Sequence, residues 1–239
     1  MKPITTFLTI LFISFLSSPS WSDTLTMDDL VERNELYYKK FTDVPFTGEI
    51  TGIESGNFRD GIRDGSWQVY RENGQLMRKG SFQKGKKNGE WLTFHESGQL
   101  NFKRNYKDGK RDGVWERYLE NGQLKGKGNY KDGKQDGLQE FYNENGQLFS
   151  KSNYKDGEID RQEVYHKNGQ LFYNLNYKDG KRDGLEEVYY ENGQLHQKEN
   201  YKDGKRDGPQ EVYHENGQLQ KKGNYKDGIP VGIWSFYDE

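Results

Sequence analysis

The 239-residue sequence contains no cysteine and only 5 prolines, and hydrophobic residues make up only 31% of it. Without cysteine the chain has no disulfides, so packing and strand pairing must hold the fold together. Such a low apolar content is typical of disordered chains. However, 15% of the residues are aromatic and 29 are glycine. Disordered chains are poor in aromatic residues, so this composition predicts a β-rich repeat protein with a thin core.

The charges are finely mixed and nearly balanced. The 36 basic and 38 acidic residues give a net charge of −2, and they alternate along the chain without forming a block. Nucleic-acid binding requires a basic patch or stripe. The sequence therefore predicts no nucleic-acid partner.

Residues 1–22 have the layout of a secretory signal peptide. Lys2 precedes the apolar stretch 4–16, and the small residues Ser20 and Ser22 follow it. A membrane anchor is the alternative, but it would need about 20 apolar residues. We therefore expect cleavage after Ser22 and export to the periplasm or the extracellular space.

The rest of the chain is built from one repeated unit. The tripeptide Gly-Gln-Leu recurs in steps of 24 residues, with one step of 23, beginning at Gly74, Gly98, Gly122, Gly146, Gly169, Gly193 and Gly217. A second glycine series has the same spacing and the same single short step: Gly61, Gly85, Gly109, Gly133, Gly157, Gly180, Gly204 and Gly228. The short step lies at Asp160-Arg161, where a glycine that other units carry is missing. One deleted residue explains both irregularities.

Each unit contains two turns, one at Asn-Gly and one at Asp-Gly. Both dipeptides favour type I′ hairpin turns, in which the two central residues have positive φ. The turns are about 12 residues apart, which leaves room for strands of roughly 6–9 residues but not for helices of useful length.

Aromatic residues and leucines recur at fixed positions of the unit. The fifth position after a glycine such as Gly113 is always aromatic: Tyr70, Phe94, Tyr118, Tyr142, Tyr165, Tyr189, Tyr213 and Tyr237. Leucines on the return strand form a second column, beginning at Leu76, and a third, aromatic column begins at Phe58 and Phe82. Leu76 and Phe82 are separated by an even number of residues, which predicts that their columns share one face of a sheet.

These patterns predict an all-β protein, an elongated single-layer antiparallel β-meander of about eight tandem 24-residue β-hairpin repeats. The repeats occupy residues 46–239, and residues 23–45 form an N-terminal cap segment. Sixteen strands would extend over about 75–80 Å. An unpaired edge strand at each end would allow end-to-end self-association.

The unit resembles a known repeat. Tyr-x-x-Asn-Gly-Gln-Leu followed by Tyr-Lys-Asp-Gly-Lys-x-x-Gly is similar to the variant MORN (membrane occupation and recognition nexus) repeat, over residues 46–239. This repeat occurs in bacterial proteins of the YwqK-like antitoxin family. The resemblance implies a role as an antitoxin or in binding another partner.

No catalytic, cofactor or metal site emerges from the sequence. His95, His166 and His214 share one position of the unit but lie in units far apart, whereas zinc ligands must converge on one ion. The aspartates of the Asp-Gly turns occur one per turn beside lysines, which does not suit calcium. A column of glutamates, beginning at Glu116, has no unique cleft. We expect no enzymatic activity, no cofactor and no bound metal.

The positions that vary between units are the best candidates for a binding surface. The second position after the glycine holds tryptophan in the outer units and glutamine or glutamate in the inner ones. With three further aromatic residues, the predicted binding surface consists of Trp67, Trp91, Trp115, Phe102, Phe149, Tyr173 and Trp234.

The preferred function is a non-enzymatic exported scaffold that binds a protein, such as a toxin or an envelope protein. A cell-wall or carbohydrate-binding module is one alternative, because tyrosine-rich hairpin repeats resemble glucan-binding modules. Binding to a phospholipid surface is another, although the net charge of −2 does not favour attraction to anionic lipid.

Overall fold

The structure is a computed structural model that describes residues 24–238. The predicted signal peptide of residues 1–22 lies outside this range. The described residues contain no helix that has both the length and the hydrophobicity of a membrane span.

The chain begins with a short 3-10 helix, Met27–Asp29, and a hairpin of β1 (Leu30–Arg33) and β2 (Leu36–Lys39). All later strands belong to one antiparallel succession: β3 (Gly48–Ile50), β4 (Glu54–Arg59), β5 (Ile62–Tyr70), β6 (Leu76–Gln83), β7 (Lys86–Phe94), β8 (Leu100–Lys107), β9 (Lys110–Tyr118), β10 (Leu124–Lys131), β11 (Lys134–Gln135), β12 (Gly137–Tyr142), β13 (Leu148–Lys155), β14 (Glu158–Tyr165), β15 (Leu171–Lys178), β16 (Lys181–Arg182), β17 (Gly184–Tyr189), β18 (Leu195–Lys202), β19 (Lys205–Tyr213), β20 (Leu219–Lys226) and β21 (Ile229–Phe236).

Each strand of the sheet pairs with its neighbours in sequence. Two strands are interrupted, so that β11 and β12 both pair with β10, and β16 and β17 both pair with β15. Among the described strands β3 pairs only with β4, and β21 pairs only with β20. The sheet is therefore open, and the predicted meander of consecutive 24-residue hairpins is confirmed.

The two turns of the unit have different conformations. At the Asp-Gly turns both central residues have positive φ, as at Asp108 (+49°) and Gly109 (+84°), which agrees with the predicted type I′ turn. At the Asn-Gly turns only the glycine does, as at Gly74 (+80°). There the Gly74 N–H donates to the Arg71 carbonyl, and the Arg71 N–H donates to the Gln75 carbonyl. This is the longer hairpin loop that ends in a left-handed glycine, so the type I′ prediction was wrong for Asn-Gly.

A register shift follows each Asn-Gly turn and changes which side chains share a face. Leu76 is paired with Tyr70, but Arg78 is already paired with Val69, so one extra residue lies between them. Such a β-bulge breaks the alternation of side chains along a strand. Leu76 therefore faces Tyr70, whereas Phe82 packs against the buried cluster around Trp67 and Val69. The prediction that the leucine and Phe82 columns share a face was wrong for this reason.

The core lies on the face that carries Trp67 and its equivalents, here called the tryptophan face. Aromatic rings from consecutive strands meet edge to face along it, with centroids 5.4 Å apart for Phe58 and Trp67, 5.5 Å for Trp67 and Phe82, and 5.1 Å for Phe82 and Trp91. Such contacts add about 0.5–1.5 kcal/mol to the burial of each pair. The aromatic ladder thus joins the first units of the array, from Phe58 to Tyr106.

Glycines on neighbouring strands make room for the large rings. Gly56 is paired with Trp67, and Gly80 lies under Trp91. A Cβ atom at either glycine would overlap the indole ring. The same arrangement recurs at Gly223 under Trp234 and, with a smaller side chain, at Gly128 under Gln139. The absence of a side chain on one strand is what permits burial of the ring on the next.

The N-terminal segment covers part of the first sheet edge. The Thr51 N–H donates to the Leu25 carbonyl at 2.8 Å, and the Tyr37 N–H donates to the Gly61 carbonyl at 2.8 Å. Leu25, Met27 and Tyr37 also pack against the buried cluster. The N-terminal segment therefore covers residues that flank β3, whereas the outer side of β3 itself pairs with no described strand.

The Asp-Gly turns of successive units are tied together by a row of backbone hydrogen bonds. Six turn glycines donate to a carbonyl of the preceding unit at 2.8–2.9 Å: Gly85, Gly109, Gly133, Gly157, Gly204 and Gly228. Among the described residues, Gly180 makes no such bond. Its partner unit carries the deletion at Asp160-Arg161, where Asn153 pairs directly with Arg161. The deletion thus breaks this row at one junction.

We expect Gly80→Val to lower the free energy of unfolding by about 1–3 kcal/mol, because the new side chain would overlap the Trp91 ring. Urea unfolding followed by tryptophan fluorescence measures this change. Lys79→Val is the matched control, since Lys79 is the adjacent residue of the same strand and is exposed. An equal effect of both substitutions would contradict the proposed role of Gly80.

The Gly180 amide is expected to exchange its hydrogen at least about tenfold faster than the Gly157 and Gly204 amides, because it lacks their inter-unit hydrogen bond. Native-state hydrogen exchange read by NMR provides the measurement. Equal protection at the three glycines would show that the row of hydrogen bonds is continuous.

Candidate functional site

The face opposite the tryptophan face carries the glutamate column and is here called the glutamate face. Four of the glutamates, Glu116, Glu140, Glu163 and Glu211, accept a hydrogen bond from the tyrosine two positions later, as from the Tyr118 hydroxyl to Glu116 at 2.9 Å. Lysines from the adjacent strands pair with the same column, with Lys127 at 2.8 Å from Glu140 and Lys198 at 2.6 Å from Glu211. These carboxylates belong to a ladder of ion pairs that joins several pairs of neighbouring strands.

The ion pairs shift the titration of both partners. The hydrogen bond from Lys127 lowers the pKa of Glu140, and the hydrogen bond from Lys198 lowers the pKa of Glu211. Reciprocally, the same contacts raise the pKa of Lys127 and of Lys198. A general acid would need the opposite shift, towards a higher pKa. These glutamates therefore act in this structure as stabilising charges.

The histidines and the aspartates make contacts between units. His95 Nε2 lies 2.9 Å from the Tyr118 carbonyl oxygen, and His166 Nε2 lies 2.8 Å from that of Tyr189. The Asp112 carboxylate accepts a hydrogen bond from the Asp132 N–H of the next Asp-Gly turn at 3.2 Å. In residues 24–238, no three His, Asp or Glu side chains come together in a way that could hold a metal ion.

Two of the predicted binding residues belong to the core. Trp67 and Trp91 are only 2% and 5% exposed, because each ring lies over a glycine of the preceding strand. They give the tryptophan face its aromatic ladder and leave almost no surface for a partner. The prediction that they form part of an exposed surface was wrong.

The other two tryptophans are half-buried. The Trp115 Nε1–H donates to Gln139 Oε1 of the next unit at 2.7 Å. The Trp234 ring lies against Tyr225, with the ring centroids 5.3 Å apart. Both rings retain some accessible surface on the tryptophan face.

The remaining predicted residues are more accessible. Phe149 is 53% exposed and borders a groove of about 400 Å³ beside the Asn-Gly turn of its unit, with Leu148, Tyr165 and His166 among the lining residues. Phe102 and Tyr173 are half-buried. The structure therefore brings Phe149 into a groove but does not gather all seven predicted residues at one place.

Further exposed apolar side chains lie in the central units and were missed by the sequence analysis. Leu138, Phe141, Phe172 and Leu185 are each between 38% and 45% exposed. Phe141 occupies a position that is valine in several other units, such as Val164 and Val212. The larger apolar residue at this position is the feature of the sequence that could have indicated an exposed side chain.

The deletion at Asp160-Arg161 is accompanied by a second cavity. It has a volume of about 370 Å³ and is lined by Ile159, Asp160 and Tyr177, with charged side chains from the neighbouring Asp-Gly turns around them. The cavity lies at the junction where the row of turn hydrogen bonds is interrupted.

Comparison with protein families matches seven stretches of the chain to the MORN repeat variant, at residues 63–84, 87–108, 111–132, 135–156, 161–179, 182–203 and 206–227. The fifth stretch is the shortest and begins at Arg161, directly after the deletion. No curated protein matches the chain.

The stabilising contribution of Glu140 and Glu211 is expected to disappear in acid. Because their pKa values are lowered in the folded state, this contribution is present above the unfolded-state pKa of about 4.3 and is lost as the pH falls through the lowered values. At pH 7 we expect the free energy of unfolding of Glu140→Gln/Glu211→Gln to be roughly 1 kcal/mol lower than that of the natural chain. This difference should vanish towards pH 3.

Urea titrations between pH 3 and pH 7 test this expectation. Glu144→Gln/Glu191→Gln is the matched control, because both glutamates are exposed turn residues with no ion pair in the described part of the chain. A pH-independent difference between the natural chain and Glu140→Gln/Glu211→Gln would contradict the electrostatic account.

Proposed function

The chain belongs to the MORN repeat variant family, whose repeats match seven of its units, and we propose that it is a non-enzymatic, exported scaffold that binds a protein partner. The observation that carries the proposal is the groove of the central units that Phe149 borders, together with the exposure of Phe149, Phe141 and Phe172 in these units. Exposed apolar side chains are typical of interaction surfaces when they exceed what a monomer normally leaves in contact with water.

Different positions of the repeat serve the fold and face the solvent, and this difference supports the proposal. The aromatic ladder, the glycines under the rings and the ladder of ion pairs are needed to join one strand to the next. The bulge position after the Asn-Gly turn lies outside the paired register, and it holds Phe149 and Phe172 in the central units but Lys125 and Gln220 elsewhere. A repeat scaffold can thus change its partner at such positions without loss of the fold.

The partner class follows from the family resemblance and from the N-terminal sequence. A YwqK-like antitoxin would neutralise a toxin, and an exported chain would meet either a toxin or another protein in the cell envelope. We propose an envelope-located protein partner, with a toxin as the specific case that the antitoxin resemblance implies.

A pull-down with the chain from residue 23 onward, on an envelope extract, is expected to recover one protein in a stoichiometric amount. Phe149→Ser should then weaken binding by about 2 kcal/mol, roughly thirtyfold in Kd, because an aromatic side chain that becomes buried in the complex is a typical hot spot. Ile53→Ser is the matched control, since Ile53 is 59% exposed and lies outside the central units.

Two outcomes would contradict the proposal. One is the recovery of no stoichiometric protein together with retention of the chain on peptidoglycan or polysaccharide. The other is binding to a protein partner that Phe149→Ser and Ile53→Ser weaken equally, which would place the contact elsewhere.

A further inference from the structure

Five cationic side chains lie on four consecutive strands of the tryptophan face. Arg78 is on β6, Lys87 on β7, Arg104 on β8, and Arg111 and Arg117 on β9. The strand register places them on one face, because each is paired directly or through its neighbours with the positions of the aromatic ladder. Four neighbouring strands extend over about 14 Å across the sheet. The cations thus form a compact patch, here called the basic patch.

The basic patch has no counter-charges among residues 24–238. None of its five side chains forms an ion pair with any described residue. The paired positions of the tryptophan face in β6–β10 hold only aromatic, small or cationic residues. The acidic residues of these strands, such as Glu90 and Glu116, lie on the glutamate face, where they share Lys103.

Other units of the same protein neutralise the equivalent cations. Arg182, which corresponds in its unit to Arg111, pairs with Glu186 at 3.1 Å. Arg206 pairs with Glu199 at 2.8 Å. In the units of the basic patch, tryptophan stands where Glu186 stands, as at Trp115. The lack of a counter-charge is therefore specific to the basic patch and is not a property of the repeat.

The cations of the basic patch lie along the aromatic rings. Lys87 Nζ is 4.5 Å from the Trp91 ring centroid, and Arg104 Cζ is 3.8 Å from that of Phe102. Arg117 Cζ also lies over Phe102, at 5.4 Å. Burial lowers the pKa of both Lys87 and Arg104, and the neighbouring cations act in the same direction. An anion bound here would relieve this unfavourable electrostatic state.

We propose that the basic patch binds an acidic segment of the protein partner, whose carboxylates pair with Arg104, Arg111 and Arg117 while its apolar side chains contact Phe102 and Trp115. This inference rests on the proposed function, because it names the chemistry of the surface that the partner presents. The complementarity of charge favours an acidic segment, and the half-buried rings favour one that also contains apolar residues.

A polypeptide fits this surface better than a lipid bilayer or a nucleic acid does. The cations lie within the face, beside the rings, where single carboxylate side chains of an extended segment can reach them. The patch ends within a few strands, and the protein as a whole carries a net charge of −2, so a long polyanion would meet no continuous basic stripe.

The first test uses a fluorescent decapeptide of alternating glutamate and leucine and an otherwise identical peptide with glutamine for glutamate. The chain from residue 23 onward should bind the glutamate peptide, more weakly as salt is raised, and should not bind the glutamine peptide. Arg104→Gln/Arg111→Gln should weaken binding by about tenfold, as expected from the loss of two ion pairs of roughly 0.7 kcal/mol each.

Two control variants distinguish loss of the patch from loss of charge or of fold. Lys131→Gln/Lys155→Gln removes the same charge from exposed Asp-Gly turns outside the basic patch and should leave binding unchanged. Arg104→Lys/Arg111→Lys should retain most of the binding. Circular dichroism and a thermal melt show whether Arg104→Gln/Arg111→Gln remains folded. If it does not, Arg104→Lys/Arg111→Lys, which keeps both charges, is compared with Lys131→Gln/Lys155→Gln instead.

The inference is overturned if the glutamate and glutamine peptides bind equally, or if neither binds. It is also overturned if vesicles containing anionic phospholipid bind in an Arg104- and Arg111-dependent manner while the glutamate peptide does not. The proposed function is judged separately by the pull-down. A stoichiometric protein partner whose recovery is unaffected by Arg104→Gln/Arg111→Gln would leave the proposed function intact and reject the basic patch as its contact.

Discussion

A sheet of one layer has no second layer against which to bury its side chains, and this constraint governs the whole molecule. Burial must come from the neighbouring strand, so a large side chain on one strand requires an empty position on the next. Trp67 over Gly56 and Trp91 over Gly80 meet this requirement. Between Trp115 and Trp234 polar side chains stand at this position, such as Gln210, which donates a hydrogen bond to Glu199 at 2.7 Å. Both residues are almost fully buried; Glu199 also accepts a hydrogen bond from the Tyr201 hydroxyl and pairs with Arg206, whereas Gln210 Oε1 has no partner among the described residues.

Most of the fold could be predicted from the sequence because its causes are local. The period of 24 residues, the turns and the alternation of side chains all act over a few positions. The errors arose where one extra residue changes the alternation. The bulge between Leu76 and Arg78 has no distinct signature in the sequence, since it depends on how the longer Asn-Gly loop joins the two strands. The spacing between Leu76 and Phe82 therefore misled us about which face each occupies.

The candidate surface was harder to predict, because the exposure of a side chain depends on which residue stands at the paired position of the neighbouring strand. Trp67 and Phe149 are both variable aromatic positions in the sequence, yet one is buried over a glycine and the other borders a groove. The basic patch was missed for a related reason. A net charge of −2 averages over two faces, and only the register separates Glu116 on one face from Arg117 on the other. Charge patterning along the chain carries little information until the faces are known.

The interrupted row of turn hydrogen bonds at Gly180 has a consequence for how the array responds to stress. In a protein whose units contact only their neighbours, stability is a sum of unit terms and junction terms. A weaker junction separates two blocks of such an array, here the units before Gly180, which contain the aromatic ladder, and the units after it, which contain the buried Glu199–Gln210 pair. Under mechanical load or in dilute denaturant the array would unfold first at the junction of Gly180. A single missing residue thereby determines where a nearly uniform array loses its cooperativity.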